Sequence, residues 1–210
     1  MHVPDGFLSP AITLPAYAVA APLWALAARR HLGRDAADAL PVVGALTALA
    51  FVVQTIAIPV PGGTSTHLVG VTLLAILYGP LLAFLCESLV LLLQALFFGA
   101  GGVTVLAVNA LAMGLLGPLA GWAVHRLLRR RAGRAAAFLG AWVSMQVAAG
   151  AVALVLGLQH RVAPEYFPVP FAVSATALLA PSLAVTGLVE GLYTVLALAL
   201  LRRADLRGLA

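Results

Sequence analysis

Long apolar runs, each closed by a short cluster of Gly, Pro or Arg, recur along the whole chain. Seven such runs stand out, over residues 11–28, 40–58, 67–78, 81–98, 103–128, 135–158 and 173–201. All but the third approach or exceed the ~20 residues that cross a bilayer core as a helix. At ~1.5 Å per residue the third is too short to cross alone. It is expected to be partly buried by protein, or extended through the Tyr78-Gly79-Pro80 break. Gly and Pro are tolerated at such breaks when other groups satisfy the freed backbone. The apolar and polar alternation of a membrane barrel is missing. The pattern therefore predicts an all-α integral membrane protein, a bundle of about seven transmembrane helices forming one polytopic domain over residues 1–210.

Composition agrees with that reading. The chain is 63% hydrophobic and only 9% charged, with mean hydropathy +1.08, whereas a soluble domain carries roughly a quarter charged residues. A net charge of +5 would point a soluble protein toward nucleic acid. Here every basic residue is Arg, and placement explains the charge without a nucleic-acid partner. Arg29, Arg30 and Arg34 fall in the first connection, Arg126, Arg129, Arg130, Arg131 and Arg134 in the fifth, and Arg202, Arg203 and Arg207 at the C-terminus. Only Arg161 falls on the other side. With an odd number of spans, the positive-inside rule puts the N-terminus outside and the C-terminus in the cytoplasm. The Arg-rich loops either meet acidic lipids or a partner, or act as topology anchors alone. Cys86 is solitary in an apolar run and reads as an inert packing residue.

The opening Met-His-Val-Pro-Asp-Gly-Phe-Leu-Ser-Pro lacks a basic stretch and an unbroken apolar run, so it does not read as a cleaved signal. A bulky His2 blocks removal of the initiator methionine, which leaves an amine on Met1. That amine, the backbone nitrogen of residue 2 and the His2 imidazole can close two chelate rings on one metal ion. Residues 1–10 are expected to form a metal-binding segment inserted toward the bundle. His67 opens the third run on the same side and is a candidate fourth donor. Tetragonal nitrogen ligation favours Ni(II) or Cu(II), while Zn(II) prefers a tetrahedron. Taken by themselves, the two histidines are equally open to an interfacial role.

Other polar residues have open readings. Asp5, Thr66 and Asn109 are candidates to support the metal donors; Asn109 also suits an inter-helix hydrogen bond and Asp5 a turn with Gly6. Glu87 and Glu190 lie inside predicted spans, where a carboxylate is a functional candidate by default. They suit proton coupling, hydrogen-bonded packing or, for Glu190, a subunit contact. His31, His125 and His160 sit at membrane edges. Gly117 and Gly121 have a spacing that lets helices approach closely. No phosphate-binding G-x-x-x-x-G-K-[ST] loop and no H-E-x-x-H pair occur, so the chain is not expected to be an enzyme.

The opening ten residues resemble the nickel/cobalt substrate-capture components of energy-coupling factor transporters, the NikM/CbiM family. So do Pro61-Gly62-Gly63-Thr64-Ser65-Thr66-His67-Leu68-Val69-Gly70, Gln94-Ala95-Leu96-Phe97-Phe98-Gly99-Ala100-Gly101-Gly102 and Asn109-Ala110-Leu111-Ala112-Met113-Gly114. The resemblance covers essentially the whole chain in the same order. It departs at Ala100, where relatives commonly carry Asp or His, and before Asn109, where they carry Gly. It implies a multi-pass protein of the cell inner membrane that binds Ni2+ or Co2+ as transported substrate through Met1, His2 and His67. It also implies a transmembrane T-component, cytoplasmic ATPase subunits and often a small accessory membrane subunit as partners. Nickel is the expected ion and cobalt uptake for cobalamin biosynthesis the alternative. A gradient-driven secondary transporter using Glu87 and Glu190 is the rival, and in that case Glu87→Gln stops uptake.

Overall fold

A computed structural model describes residues 1–33, 39–56, 58–60 and 64–203. Arg34 and Arg207 of the charge count, and Pro61, Gly62 and Gly63, lie outside the described residues. Among the described residues seven helices run in order: α1 (Pro10–His31), α2 (Leu40–Thr55), α3 (Thr72–Tyr78), α4 (Pro80–Phe98), α5 (Leu106–Ala132), α6 (Arg134–Val162) and α7 (Phe171–Arg203). Five of them, α1 and α4 to α7, are long and apolar enough to cross a membrane, and α2 is a shorter apolar helix. A short antiparallel hairpin, β1 (Ile58–Val60) with β2 (Thr64–Thr66), follows α2. The sequence pattern predicted these helices and missed the hairpin.

Many leucines face outward, and small residues line the closest helix contacts. Leu14, Leu154 and Leu200 are each about two-thirds exposed, while Ala136, Ala141, Ala149 and Ala153 of α6 are buried. Lipid is as apolar as Leu, so helices gain by close packing of small residues instead. At Gly121 on α5, an added Cβ would lie 2.7 Å from the Gly140 carbonyl oxygen of α6. Helices α5 and α7 each contain a π-helical stretch, Ala110–Leu116 and Ser182–Thr186, and each stretch lies beside a proline, Pro118 or Pro181. Proline removes a donor and crowds the turn before it, and the widened turn ahead of Pro118 accommodates this; the second stretch follows Pro181 instead.

The third run differs most from a regular span. Only Thr72–Tyr78 is helical, and residues 67–70 form a buried non-helical segment. Its backbone groups find partners inside the protein. The Val69 and Gly70 amides donate to the Glu190 carboxylate at 3.0 and 2.8 Å, and the Val69 carbonyl accepts from Gln54 at 2.8 Å. Non-helical backbone at membrane depth persists only where protein satisfies it in this way. Gly70 has φ +77°, and a side chain there would press on Ala50 and Val53 of α2. Glu190 thus makes internal hydrogen bonds that hold an unwound strand of chain.

The bundle has two chemically different ends. Helix α6 carries Arg134 at its start, and Gln159 near its end bonds Ser9 of the N-terminal segment. At the Arg134 end, His125, Arg134, Arg202 and Arg203 line one cavity of about 700 Å³.

Candidate metal centre

The N-terminal segment reaches its place through three polar grips. Asn109 binds the Val3 backbone on both sides: Val3 N–H donates to Oδ1 at 3.0 Å, and Nδ2 donates to the Val3 carbonyl at 3.0 Å. Asp5 accepts from the backbone amides of Val103 and Thr104 at 3.2 and 3.0 Å and from the Thr104 hydroxyl. Ser9, the residue before α1, donates from its amide and hydroxyl to Gln159 Oε1 at 2.8 and 3.0 Å. Met1 and Val3 are consequently buried, at 2% and 1% exposure. The glycine turn after α4 is shaped around this segment. Gly101 has φ +78°, and its Cβ would lie 3.5 Å from His2 Cβ; at Gly102 a Cβ would collide with the Asp5 carboxylate.

This docking brings His2 onto His67. The two rings stack with centroids 4.4 Å apart and planes 29° apart. His67 Nδ1 lies 2.7 Å from the Leu68 carbonyl oxygen. A carbonyl only accepts, so Nδ1 carries the proton and Nε2 keeps its lone pair. His67 Nε2 is buried without a hydrogen-bond partner, and so is His2 Nε2. A buried nitrogen with an unused lone pair is costly unless something binds it. Met1, His2, Phe7, Gly101, Leu156 and Phe167 line an adjoining cavity of about 420 Å³.

Burial also sets the protonation of the N-terminal donors. It lowers the Met1 amine from its ordinary 8.0 to about 5. His2 is lowered from 6.5 to about 3, first by burial and then by the nearby amine charge, with a polar interaction from Gln54 opposing both. Desolvation disfavours the charged form of each, so at neutral pH both present lone pairs. Among the described residues no three His, Cys, Asp or Glu side chains gather into a metal-binding group. A metal here would instead be bound by two imidazoles and the nitrogens of the N-terminus, a donor set suited to Ni(II) or Cu(II).

Met1, His2 and His67 therefore come together, while the supporting candidates stand one step away. Asn109 and Asp5 hold the N-terminal segment, not His67. Thr66 Oγ1 lies 3.2 Å from Thr186 Oγ1 and ties the residue before His67 to the π-helical turn of α7. Glu87 accepts from Gln54 at 2.8 Å. Ala100 contributes only its amide, which donates to the Gln94 carbonyl. Sequence reasoning passed over Gln54 and Gln159. Both are amides near the ends of apolar helices, and a polar side chain in such a setting is the signal that marks them.

Fold and site together define a polytopic α-helical membrane protein that buries a histidine pair beside its own N-terminus. Residues 2–207 match the family described as CbiM, cobalt uptake substrate-specific transmembrane region, and the chain belongs to that family. A crystal structure titled as that of a truncated transition metal transporter superposes with a TM-score of 0.92. It is 32% identical, covering 97% of this chain and 99% of the other. The fused nickel transport protein NikMN of Rhodobacter capsulatus is 35% identical over 218 residues, and the cobalt transport protein CbiM of Geobacter sulfurreducens 35% over 208. These matches take in 98% and 97% of this chain but only 62% and 60% of the relatives' own lengths.

Proposed function

We propose that this chain is the metal-capture subunit of an ATP-driven importer of the energy-coupling factor type, taking Ni2+ as its substrate. The ion is held by the Met1 amine, the backbone and imidazole nitrogens of His2, and His67 Nε2. The observation that carries this reading is the stacked His2–His67 pair beside the buried Met1, with His67 Nε2 left without a partner. Residues 1–10 act as a metal-binding segment of a single domain. Arg29, Arg30, the Arg126–Arg134 cluster, Arg202 and Arg203 favour a cytoplasmic C-terminus in the cell inner membrane, with the metal site facing outward. Energy comes from separate ATPase subunits working through a transmembrane partner, since this sequence carries no phosphate-binding loop. Cobalt is the second reading, favoured by the description of the matching family.

The test is metal content and visible absorption of the purified chain with its natural start. A single nickel in a yellow, diamagnetic complex is expected, because square-planar nitrogen ligation gives low-spin Ni(II). One glycine placed before Met1 displaces the amine and abolishes tight binding. Protein that takes up neither nickel nor cobalt, or an extended chain that binds as well as the natural one, overturns the reading.

A further inference from the structure

Gln54 lies at the end of α2, in an apolar stretch, and is 2% exposed. Its Nε2 donates to the Val69 carbonyl and to Glu87 Oε2, both at 2.8 Å. Both partners accept, so the orientation of the amide is set: the nitrogen faces Val69 and Glu87, and Oε1 faces elsewhere. His2 stacks on His67, two residues before the carbonyl that Gln54 holds, so both side chains pack against the same segment of chain. No hydrogen bond of ordinary geometry is closed between them, and His2 Nε2 and Gln54 Oε1 are each buried without a partner.

Chelate chemistry supplies the missing match. When the N-terminal amine and the residue 2 amide nitrogen bind one ion, the imidazole of residue 2 completes the chelate through Nδ1. The proton then resides on Nε2. A donor so fixed meets the one unpaired acceptor of Gln54, and one hydrogen bond satisfies both orphaned atoms.

We infer, resting on the metal site proposed above, that Gln54 is a positioning residue whose Oε1 accepts the Nε2–H of metal-bound His2. The same side-chain amide holds the carbonyl of Val69, two residues beyond His67, and Glu190 fixes the amides of Val69 and Gly70. Gln54 therefore joins both ligand-bearing segments. It locks the His2 ring with Nδ1 toward the ion and fixes the spacing of the two imidazoles. Partners that orient a metal-bound histidine typically contribute 10–100-fold in affinity.

The experiment uses the full chain with its natural N-terminus, nickel as the probe, and the variants Gln54→Met and Gln54→Glu. Gln54→Met keeps the volume and removes the amide; Gln54→Glu restores an acceptor. The expected result is a nickel Kd raised at least ~10-fold in Gln54→Met, with partial recovery in Gln54→Glu. Low-spin nickel is diamagnetic, so the His2 Nε2–H is visible by NMR. It should exchange slowly with water in the wild type and fast in Gln54→Met. A wild-type Nε2–H exchanging as fast as a solvated imidazole overturns the inference without any variant. So does a Gln54→Met protein with unchanged Kd and unchanged Nε2–H exchange. If the wild type binds no nickel, the metal site itself fails and this inference with it. If His67→Ala loses nickel while Gln54→Met does not, only the role of Gln54 fails.

Discussion

Replacing Asn109 by Leu tests whether docking of the N-terminal segment is what makes the proposed metal site. The seven hydrogen bonds that hold residues 1–9 contribute roughly 7 kcal/mol at about 1 each. Burying the side chains of Met1, Val3 and Leu8 adds roughly 7 kcal/mol. Ordering nine residues costs about 13 kcal/mol at about 1.5 each. The balance is close to zero, so docking is marginal and any lost grip passes directly into apparent metal affinity. Asn109→Leu removes both bonds to Val3 and leaves its N–H and C=O buried and unpaired, a penalty of about 3 kcal/mol in total. That corresponds to a nickel Kd raised about 100-fold, at ~1.4 kcal/mol per tenfold. Asn109→Asp keeps the acceptor for Val3 N–H and loses the donor, so about a tenfold loss is expected. Competition against a chelator of known nickel affinity gives the Kd, and hydrogen exchange at the Val3 amide reports docking. The absorption band of the remaining complex should not move, because Asn109 touches no donor atom. A Leu variant within twofold of wild type, with Val3 still protected, refutes the reasoning.

Three further outcomes follow from the same geometry. The Met1 amine is less basic when docked, about 5 against 8.0, so the undocked state binds more protons between those values. Docking therefore strengthens from pH 5 to 8, by ~4 kcal/mol over the whole window; proteolysis or exchange of residues 1–9 in metal-free protein should show release on acidification, and constant protection from pH 8 to 5 contradicts the burial. Asp5→Ala removes three bonds to the turn after α4 and should weaken nickel binding about tenfold, the exposed setting halving what buried bonds contribute; unaltered affinity means the turn does not brace the segment. Gly121→Val forces a side chain onto the Gly140 carbonyl and should cost about 1–3 kcal/mol, read as a lower Tm in detergent with the nickel spectrum of the folded fraction unchanged; an unchanged Tm would show that α5 and α6 are not closely packed there.

The helices were legible because apolar runs of membrane length have one economical solution. The weak points in that reading were places where side chains, not periodicity, determine the backbone. Residues 67–70 look like the start of a helix by composition, yet Glu190 and Gln54 satisfy their backbone from other helices and leave them unwound. Neither partner is near them in sequence, so nothing local announces the break. The hairpin after α2 escaped for a different reason: each of its strands is three residues long, too short for an alternating pattern to show. Of the proposed site, Met1, His2 and His67 stood out through their residue types and their shared side of the predicted topology. Asn109 was visible as the single asparagine of the chain, but its partner was not. Its bonds to Val3 span 106 residues, a separation that residue patterns do not encode.

The polar interior has a common direction. Asn109 and Gln159 end on the backbone or cap of residues 3–9; Gln54 and Glu190 end on residues 69–70. A membrane penalises every one of these side chains unless it is paired, and a stable bundle of Ala and Leu needs none of them. Each grips one of the two segments that carry His2 and His67, neither of which is helical at its histidine. Helical backbone would satisfy itself and need no such help, but it would also fix each imidazole by helix geometry alone. Unwinding both segments lets two rings from opposite parts of the chain stack at 4.4 Å, and the buried amides and carboxylates are what that freedom costs. A variant that restores helix at residues 67–70 takes away the backbone partners of Glu190 and Gln54, so it should lose stability and nickel binding together, read as a lower Tm and a raised nickel Kd.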